Sequence, residues 1–230
     1  SSRMRKRERS WRSNGLENDV SVYWKMNTTD MPLDEATIDH DPIAQFHRWY
    51  REAEQSEGTL PNAMALATSS PDGMPSVRMV LLKQADSAGF VFYTHYESRK
   101  GKELASNASA ALLFHWTLLE RQVRIEGVVE RVSERESDDY FRSRPRESQL
   151  SAAISPQSSV VGSRAELERL RDELARSVGN GPVPRPASWG GYRVKPVRLE
   201  FWQGREGRLH DRISYDARPD GTWEINRLAP

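Results

Sequence analysis

The chain has 230 residues, enough for one large domain or two small ones with a sizeable core, and a formal net charge of only +1. It has no cysteine, which excludes disulfides, thiolate metal sites and cysteine nucleophiles together. Its five histidines, at 40, 47, 95, 115 and 210, lack ligand spacing, so no metal site is expected.

No apolar run approaches the roughly 20 residues that cross a bilayer, and the basic N-terminus is not followed by an apolar core. The expectation is a cytoplasmic protein with no membrane partner. Arg3, Arg5, Lys6, Arg7, Arg9 and Arg12 crowd the start of the chain. That run has no helical period and no interleaved aromatics, so it reads as a solvated tail, and the near-zero net charge argues against a nucleic-acid partner. Residues 1–40 show no regular pattern and are expected to form a flexible segment ahead of one domain at 41–230.

A helix should begin at Asp41, which can cap it, with Pro42 in the first helical position. Ile43, Phe46, Trp49, Tyr50 and Ala53 mark its apolar face, which ends near Gly58. From Ala63 the texture changes to short β-rich runs at 63–68, 77–82, 89–94, 110–116 and 122–132. Pro71-Asp72-Gly73 turns the first pair, and a short helix after Ser98 separates the third run from the fourth. Ser133 and Glu136 form a capping box that opens a helix through Tyr140 and Phe141. Another helix starts at Ser163, carries Leu167, Leu170 and Leu174 on one stripe, and stops by Gly179. After a proline-rich stretch at 182–188, strands resume at 192–202, 208–215 and 223–228. Closely spaced strands with few helices predict a mainly β fold with peripheral helices (α+β), an antiparallel barrel and not a doubly wound sheet.

Several polar sets stand out from this frame. Arg208, His210 and Arg212 alternate with Leu209 and Asp211, so an extended segment would send three donors from one face. A tight connection at 203–207 would place Trp202 nearby. Such a face is either a salt-bridged solvated strand or a seat for a flat, anionic heteroaromatic ligand. Arg78 and Lys83 bracket the apolar Met79-Val80-Leu81-Leu82, and their opposite parity puts them on different ligands or across a bulge. Tyr93-Thr94 runs into Ser98-Arg99-Lys100, a corner that is either a simply capped helix or a phosphate seat made of backbone N–H groups and two cations. Tyr140, Arg144 and Ser148 recur every four residues, but Pro145 interrupts them, so they converge only if a turn re-aims Ser148. Gln122 and Gln157-Ser158 can bond ring heteroatoms or a phosphate. Two phosphate-sized sets imply two phosphorylated ligands, or one ligand with two phosphates. The chain has no glycine-rich dinucleotide loop and no Walker loop.

Glu200-Phe201-Trp202 followed by Arg208-Leu209-His210-Asp211-Arg212 closely resembles the signature of the pyridoxine/pyridoxamine 5′-phosphate oxidase family. Further windows match in order from about Asp41 to Pro230. The resemblance implies an FMN-binding split β-barrel that forms a homodimer with FMN at the subunit interface. It implies flavin contacts from Arg78, Met79, Val80, Leu81, Leu82, Lys83, Tyr93, Thr94, Arg99, Lys100, Gln122, Gln157, Ser158, Trp202 and Arg212. The substrate phosphate would lie against Lys83, Tyr140, Arg144 and Ser148, with Arg208 and His210 as the catalytic pair bracketing the pyridine ring. The implied reaction oxidises pyridoxine or pyridoxamine 5′-phosphate to pyridoxal 5′-phosphate, with dioxygen as acceptor and hydrogen peroxide released, plus ammonia from the amine. A non-catalytic split barrel that binds flavin or pyridoxal phosphate is the alternative. Two departures stand against the family pattern. Arg12 and Tyr23 precede the first helix without recognisable spacing, so no lid residue is assigned, and Leu60 stands where many members carry an acidic residue.

Overall fold

The computed structural model describes residues 32–58 and 60–230; the basic run, Arg12 and Tyr23 lie outside the described residues. Asp41 is extended and its carboxylate accepts from the Ile43 N–H at 2.9 Å, which starts α1 (Pro42–Ser56) where the sequence places it. The helix buries Ile43, Phe46, Trp49 and Ala53. Phe46 meets Phe90 edge-on at 5.0 Å and Trp49 meets Phe201 at 5.2 Å, so α1 packs on the inner face of the sheet.

The sheet contains β1 (Ala63–Ser69), β2 (Pro75–Leu81), β3 (Gln84–Asp86), β4 (Gly89–His95), β5 (Ser109–Trp116), β6 (Arg121–Arg131), β7 (Trp189–Gln203), β8 (Asp211–Ala217) and β9 (Trp223–Arg227). Its order is β2-β1-β5-β6-β7-β4-β3, with β8 on β7 and β9 on β8, and each neighbouring pair is antiparallel. The long β7 gives its first half to β4 and its second half to β8, while β6 runs along both. The register shifts between Glu126 and Gly127, where Glu126 faces Arg198 and Gly127 faces Pro196, leaving Val197 as the extra residue of a bulge. Gly127 is required there, since a Cβ would lie 2.2 Å from the Lys195 carbonyl oxygen, and Pro196 is tolerated because a bulge needs no donor from it. The bend curls the sheet into the half-barrel of a split β-barrel, mainly β with five helices among the described residues. This agrees with the fold class expected from the sequence.

The other helices are α2 (Arg99–Ser106), α3 (Glu134–Ser143), α4 (Arg146–Ile154) and α5 (Arg164–Val178). Ser133 and Glu136 make the reciprocal capping box, and Ser163 caps α5 through the Glu166 N–H. A satellite cluster of Phe141, Leu150, Val183 and Trp189, with Leu174 against it, fastens α3, α4 and α5 beside the sheet.

The structure adds the short β3 and the helix α4, which no local pattern in the sequence marks. The strand expected at 208–215 begins only at Asp211: Glu206–Arg208 is a 3₁₀ turn with Gly207 at φ 66° and Arg208 at φ 62°. The left-handed backbone that Gly207 permits reverses the chain, so Arg208, His210 and Arg212 do not form one extended row. Residues 32–40 pack on the body. Leu33 and Ile38 are buried, Tyr215 donates to the Asp39 carbonyl at 2.7 Å, and Arg227 pairs with Glu35 at 2.6 Å.

Candidate active site

A cavity of about 800 Å³ opens between the β2–β4 side of the sheet and the α3–α4 corner. Its walls carry Arg78, Met79, Val80, Leu81, Lys83, Tyr93, Thr94, Lys100, Tyr140, Arg144, Ser148 and Gln157, all named from the sequence. Arg78 and Lys83 reach the same cavity because β2 ends at Leu81, and the break before β3 cancels their opposite parity. Leu82 turns inward at that break and is buried in the core, so its side chain does not line the cavity.

Pro145 ends the run that began with α3 and stands at the N-cap of α4, which supplies the turn needed to bring Ser148 round to Tyr140 and Arg144. Tyr93, Tyr140 and Trp189 stack, with Tyr93 4.0 Å from Tyr140 and 5.5 Å from Trp189. Lys83 Nζ sits 5.8 Å from the Tyr140 ring centre, and the Arg144 guanidinium lies 4.8 Å from that of Trp189. Burial, then the Glu136 charge, pushes the Tyr93 hydroxyl up to about 12, so it stays neutral and can donate. Burial also lowers the pKa of Arg144, and among the described residues its Nη1 is a buried donor without a hydrogen-bond partner. A buried unpaired guanidinium N–H is costly unless an anion meets it.

At the other end of the cavity Lys100 Nζ donates to Gln157 Oε1 at 2.9 Å and to Thr94 Oγ1 at 3.2 Å. Burial, then the Arg78 charge, lowers the pKa of this lysine. Behind the wall Glu103, not anticipated from the sequence, accepts from Thr68, Ser76, Arg99 and Arg78. Its one sequence signal is the i,i+4 spacing from Arg99. Arg99 and Ser158 border a separate recess of about 480 Å³ alongside Glu103.

The remaining expected residues lie elsewhere on the chain. Gln122, Trp202 and His210 border a third recess of about 320 Å³ together with His115, which the sequence reading passed over. Register places His115 opposite Gln122, Gln122 opposite Trp202 and Trp202 opposite Arg212, one row across β5, β6, β7 and β8. The next row, Phe114, Val123, Phe201 and Ile213, is buried core, so the first row faces outward. Arg212 is held by Glu200, Nε to Oε1 at 2.8 Å, and Arg124 reaches the same carboxylate at 2.6 Å. Burial alone would raise the Glu200 carboxyl, but Arg212 and Arg124 outweigh it and hold it below the usual range. Arg208 is exposed on the connecting turn. One chain therefore gathers most of the expected cations at the large cavity and sets Gln122, Trp202, His210 and Arg212 apart from it.

The fold and the site define a split-barrel protein with a cationic, aromatic cavity. Residues 51–173 match the family described as pyridoxamine 5′-phosphate oxidase, and residues 189–230 match the pyridoxine 5′-phosphate oxidase C-terminal dimerisation region. The chain is 57% identical over 198 residues to a pyridoxine/pyridoxamine 5′-phosphate oxidase of Ralstonia nicotianae, covering 86% of this chain and 93% of the relative. It is 54% identical to one of Trichormus variabilis over 86% and 92% of the two chains. Among solved structures it superposes on PhzG from Burkholderia lata 383, in complex with tetrahydrophenazine-1-carboxylic acid, with a TM-score of 0.82, 31% identity, and coverage of 89% of this chain and 100% of that one. An FMN-binding protein from Nostoc punctiforme shares the fold at a TM-score of 0.65 and 14% identity, over 80% of this chain and 97% of that one.

The chain belongs to the pyridoxine/pyridoxamine 5′-phosphate oxidase family of flavin-dependent oxidoreductases, with FMN as cofactor. The dimerisation region supports a homodimer. The residues present fit an FMN: Arg78 and Lys100 supply charge for a phosphate, and apolar Met79, Val80 and Leu81 supply a wall for a ring. Among the described residues no helix is long and apolar enough to cross a membrane.

Proposed function

We propose that the protein oxidises pyridoxine 5′-phosphate or pyridoxamine 5′-phosphate to pyridoxal 5′-phosphate, with dioxygen as acceptor, releasing hydrogen peroxide and, from the amine with uptake of one water, ammonia. The observation that carries this reading is that Lys83, Tyr140, Arg144 and Ser148 line the large cavity besides Arg78 and Lys100, and that Arg144 Nη1 is a buried donor with no partner among the described residues. In this reading they form a second anion seat. A flavin phosphate needs one seat, and a phosphorylated substrate needs the other.

In this reading Arg78, Lys100, Thr94 and Gln157 hold the cofactor phosphate, with Arg99 and Ser158 beside them, while the backbone run 79–83 supports the ring system. The chemistry an FMN would supply there is an acceptor for the hydride of the substrate C4′ and a route for the electrons to dioxygen. Lys83 and Arg144 neutralise the substrate phosphate, and Tyr140 and Ser148 add hydrogen bonds that fix its position. In the homodimer the row of Gln122, Trp202 and Arg212 on one protomer closes over the large cavity of the other, which puts FMN at the subunit interface. Arg208 and His210 come with that row and bracket the pyridine ring, orienting C4′ toward the cofactor.

The likeness to PhzG supports a second reading, oxidation of a tricyclic carboxylic acid. Relatives at 54–57% identity and the second anion seat favour the vitamin B6 phosphates over it. The test is the absorbance spectrum of the purified protein, followed by peroxide release on adding pyridoxamine 5′-phosphate. Bound flavin with no peroxide would sink the proposed activity and support the non-catalytic alternative.

A further inference from the structure

The turn between β7 and β8 is closed by two bonds that the assignments above leave unused. The Arg205 backbone N–H donates to Nδ1 of His210 at 3.0 Å, and Arg205 Nε donates to Asp211 Oδ2 at 2.7 Å. Asp211 is anchored on its other sides, accepting from the Leu33 N–H at 3.3 Å and from Arg227 Nη1 at 2.8 Å. The Arg205 and Asp211 side chains are only 18% and 15% exposed, so this pair is not a loose surface contact. Gly207 and Arg208, both left-handed, fold the chain back so that the amide of residue 205 meets the ring of residue 210. A plain two-strand hairpin would carry that ring away.

A backbone amide can only donate, so Nδ1 of His210 must offer its lone pair. A neutral imidazole that accepts at Nδ1 carries its proton on Nε2. The ring packs 4.7 Å from Trp202 and borders the recess shared with His115 and Gln122, leaving Nε2–H as the polar group it presents there. We propose that the Arg205–Asp211 pair is a positioning device that locks His210 in the Nε2–H tautomer. His210 then acts on the substrate as a hydrogen-bond donor to a ring or C4′ oxygen, not as the acceptor of its proton. The identity of that substrate rests on the function proposed above, whereas the tautomer does not.

The experiment uses FMN-loaded protein with ¹⁵N-labelled histidine. Long-range ¹H–¹⁵N spectra should show His210 as a single Nε2–H tautomer, mixed in Asp211→Asn. Because Asp211→Asn also removes the charge and one of the two oxygens that Leu33 and Arg227 bond, Arg205→Gln provides a second variant that spares those bonds. Both should lose about tenfold in kcat with flavin affinity unchanged, the loss expected for one misplaced hydrogen bond. His210→Gln, whose amide can replace the Nε2–H donor, should keep at least tenfold more kcat than His210→Leu. An Nδ1–H or averaged tautomer in the wild type, equal failure of Gln and Leu at 210, or loss of flavin in step with kcat would overturn the proposal. A wild-type protein with the Nε2–H tautomer that releases no peroxide from either B6 phosphate would overturn the proposed function alone.

Discussion

The Glu103 carboxylate meets the Arg78 guanidinium at 3.2 Å and Arg99 Nε at 2.9 Å, tying a cation of the large cavity to one of the adjoining recess. It is 5% exposed, and it also accepts from the Ser76 and Thr68 hydroxyls. A buried carboxylate with this many donors is the organising charge of the corner, because it fixes two long side chains whose free rotation would otherwise be lost on binding a phosphate.

This arrangement predicts a pH signature. Burial would raise the Glu103 carboxyl, but the bonds from Ser76, Thr68, Arg99 and Arg78 outweigh it and bring the pKa from 4.5 down to about 2. On acidification the unfolded chain takes up this proton first. The carboxylate therefore stabilises the fold fully above about pH 4.5 and loses that contribution as pH falls toward about 2. Glu103→Gln should unfold at lower temperature than the wild type near neutral pH, with the two melting curves approaching each other below about pH 4.5. Thermal unfolding of the two holoproteins across that range is the check, and a constant gap would contradict the assignment.

Arg208 lies on a left-handed turn, exposed in the single chain and away from the Arg78–Lys100 corner that holds the cofactor phosphate in the proposed function. Arg208→Ala should lower kcat/KM by about a hundredfold, the scale of a lost orienting group, while flavin stays bound. Peroxide release and a flavin titration measure the two separately. Parallel loss of both would show that the division between cofactor and substrate residues is wrong.

Arg144 gives the corresponding test of the second anion seat. A charge-assisted hydrogen bond to phosphate is worth about 1.5–3 kcal/mol, so Arg144→Ala should raise KM for pyridoxine 5′-phosphate by about 10- to 100-fold, with kcat changed far less. Unphosphorylated pyridoxine, at whatever rate it reacts, should not distinguish the variant from the wild type. An unchanged KM for the phosphorylated substrate would instead favour a ligand without that phosphate, such as a tricyclic acid.

These tests rest on a site that was partly legible in the sequence. Asp41-Pro42, Ser133 with Glu136, and Ser163 mark helix starts through local chemistry, and the structure places all three as caps. The cavity residues from Arg78 to Gln157 follow from motif windows and do converge. Legibility failed where geometry departed from a simple period. Alternation along 208–212 predicted a strand face, but one glycine at residue 207 turned it into a left-handed bend. Glu103 and His115 escaped because a carboxylate on a polar helix and a histidine on an alternating strand look ordinary until strand register shows what they face. Trp202 borders a recess apart from the large cavity of its own chain, so only the proposed homodimer would bring the two together.

The outer face of β2 offers the means to test that dependence. Val77, Met79 and Leu81 point away from the core, and Val77 is 70% exposed. Register sets Val77 beside Ala67 of β1 and Ala67 beside Ala111 of β5, so the strip continues as small apolar residues across three strands. In the proposed homodimer this strip is buried, and an aspartate placed in it would lose water without gaining a partner, a cost of several kcal/mol. Val77→Asp should therefore shift the protein toward monomer in light scattering. Val77 does not line the large cavity, yet flavin affinity should fall at least tenfold, because in the proposed function Gln122, Trp202 and Arg212 of the second copy complete the site. A folded monomer that holds flavin as tightly as the wild type would place the cofactor within one chain and remove the interface from the mechanism.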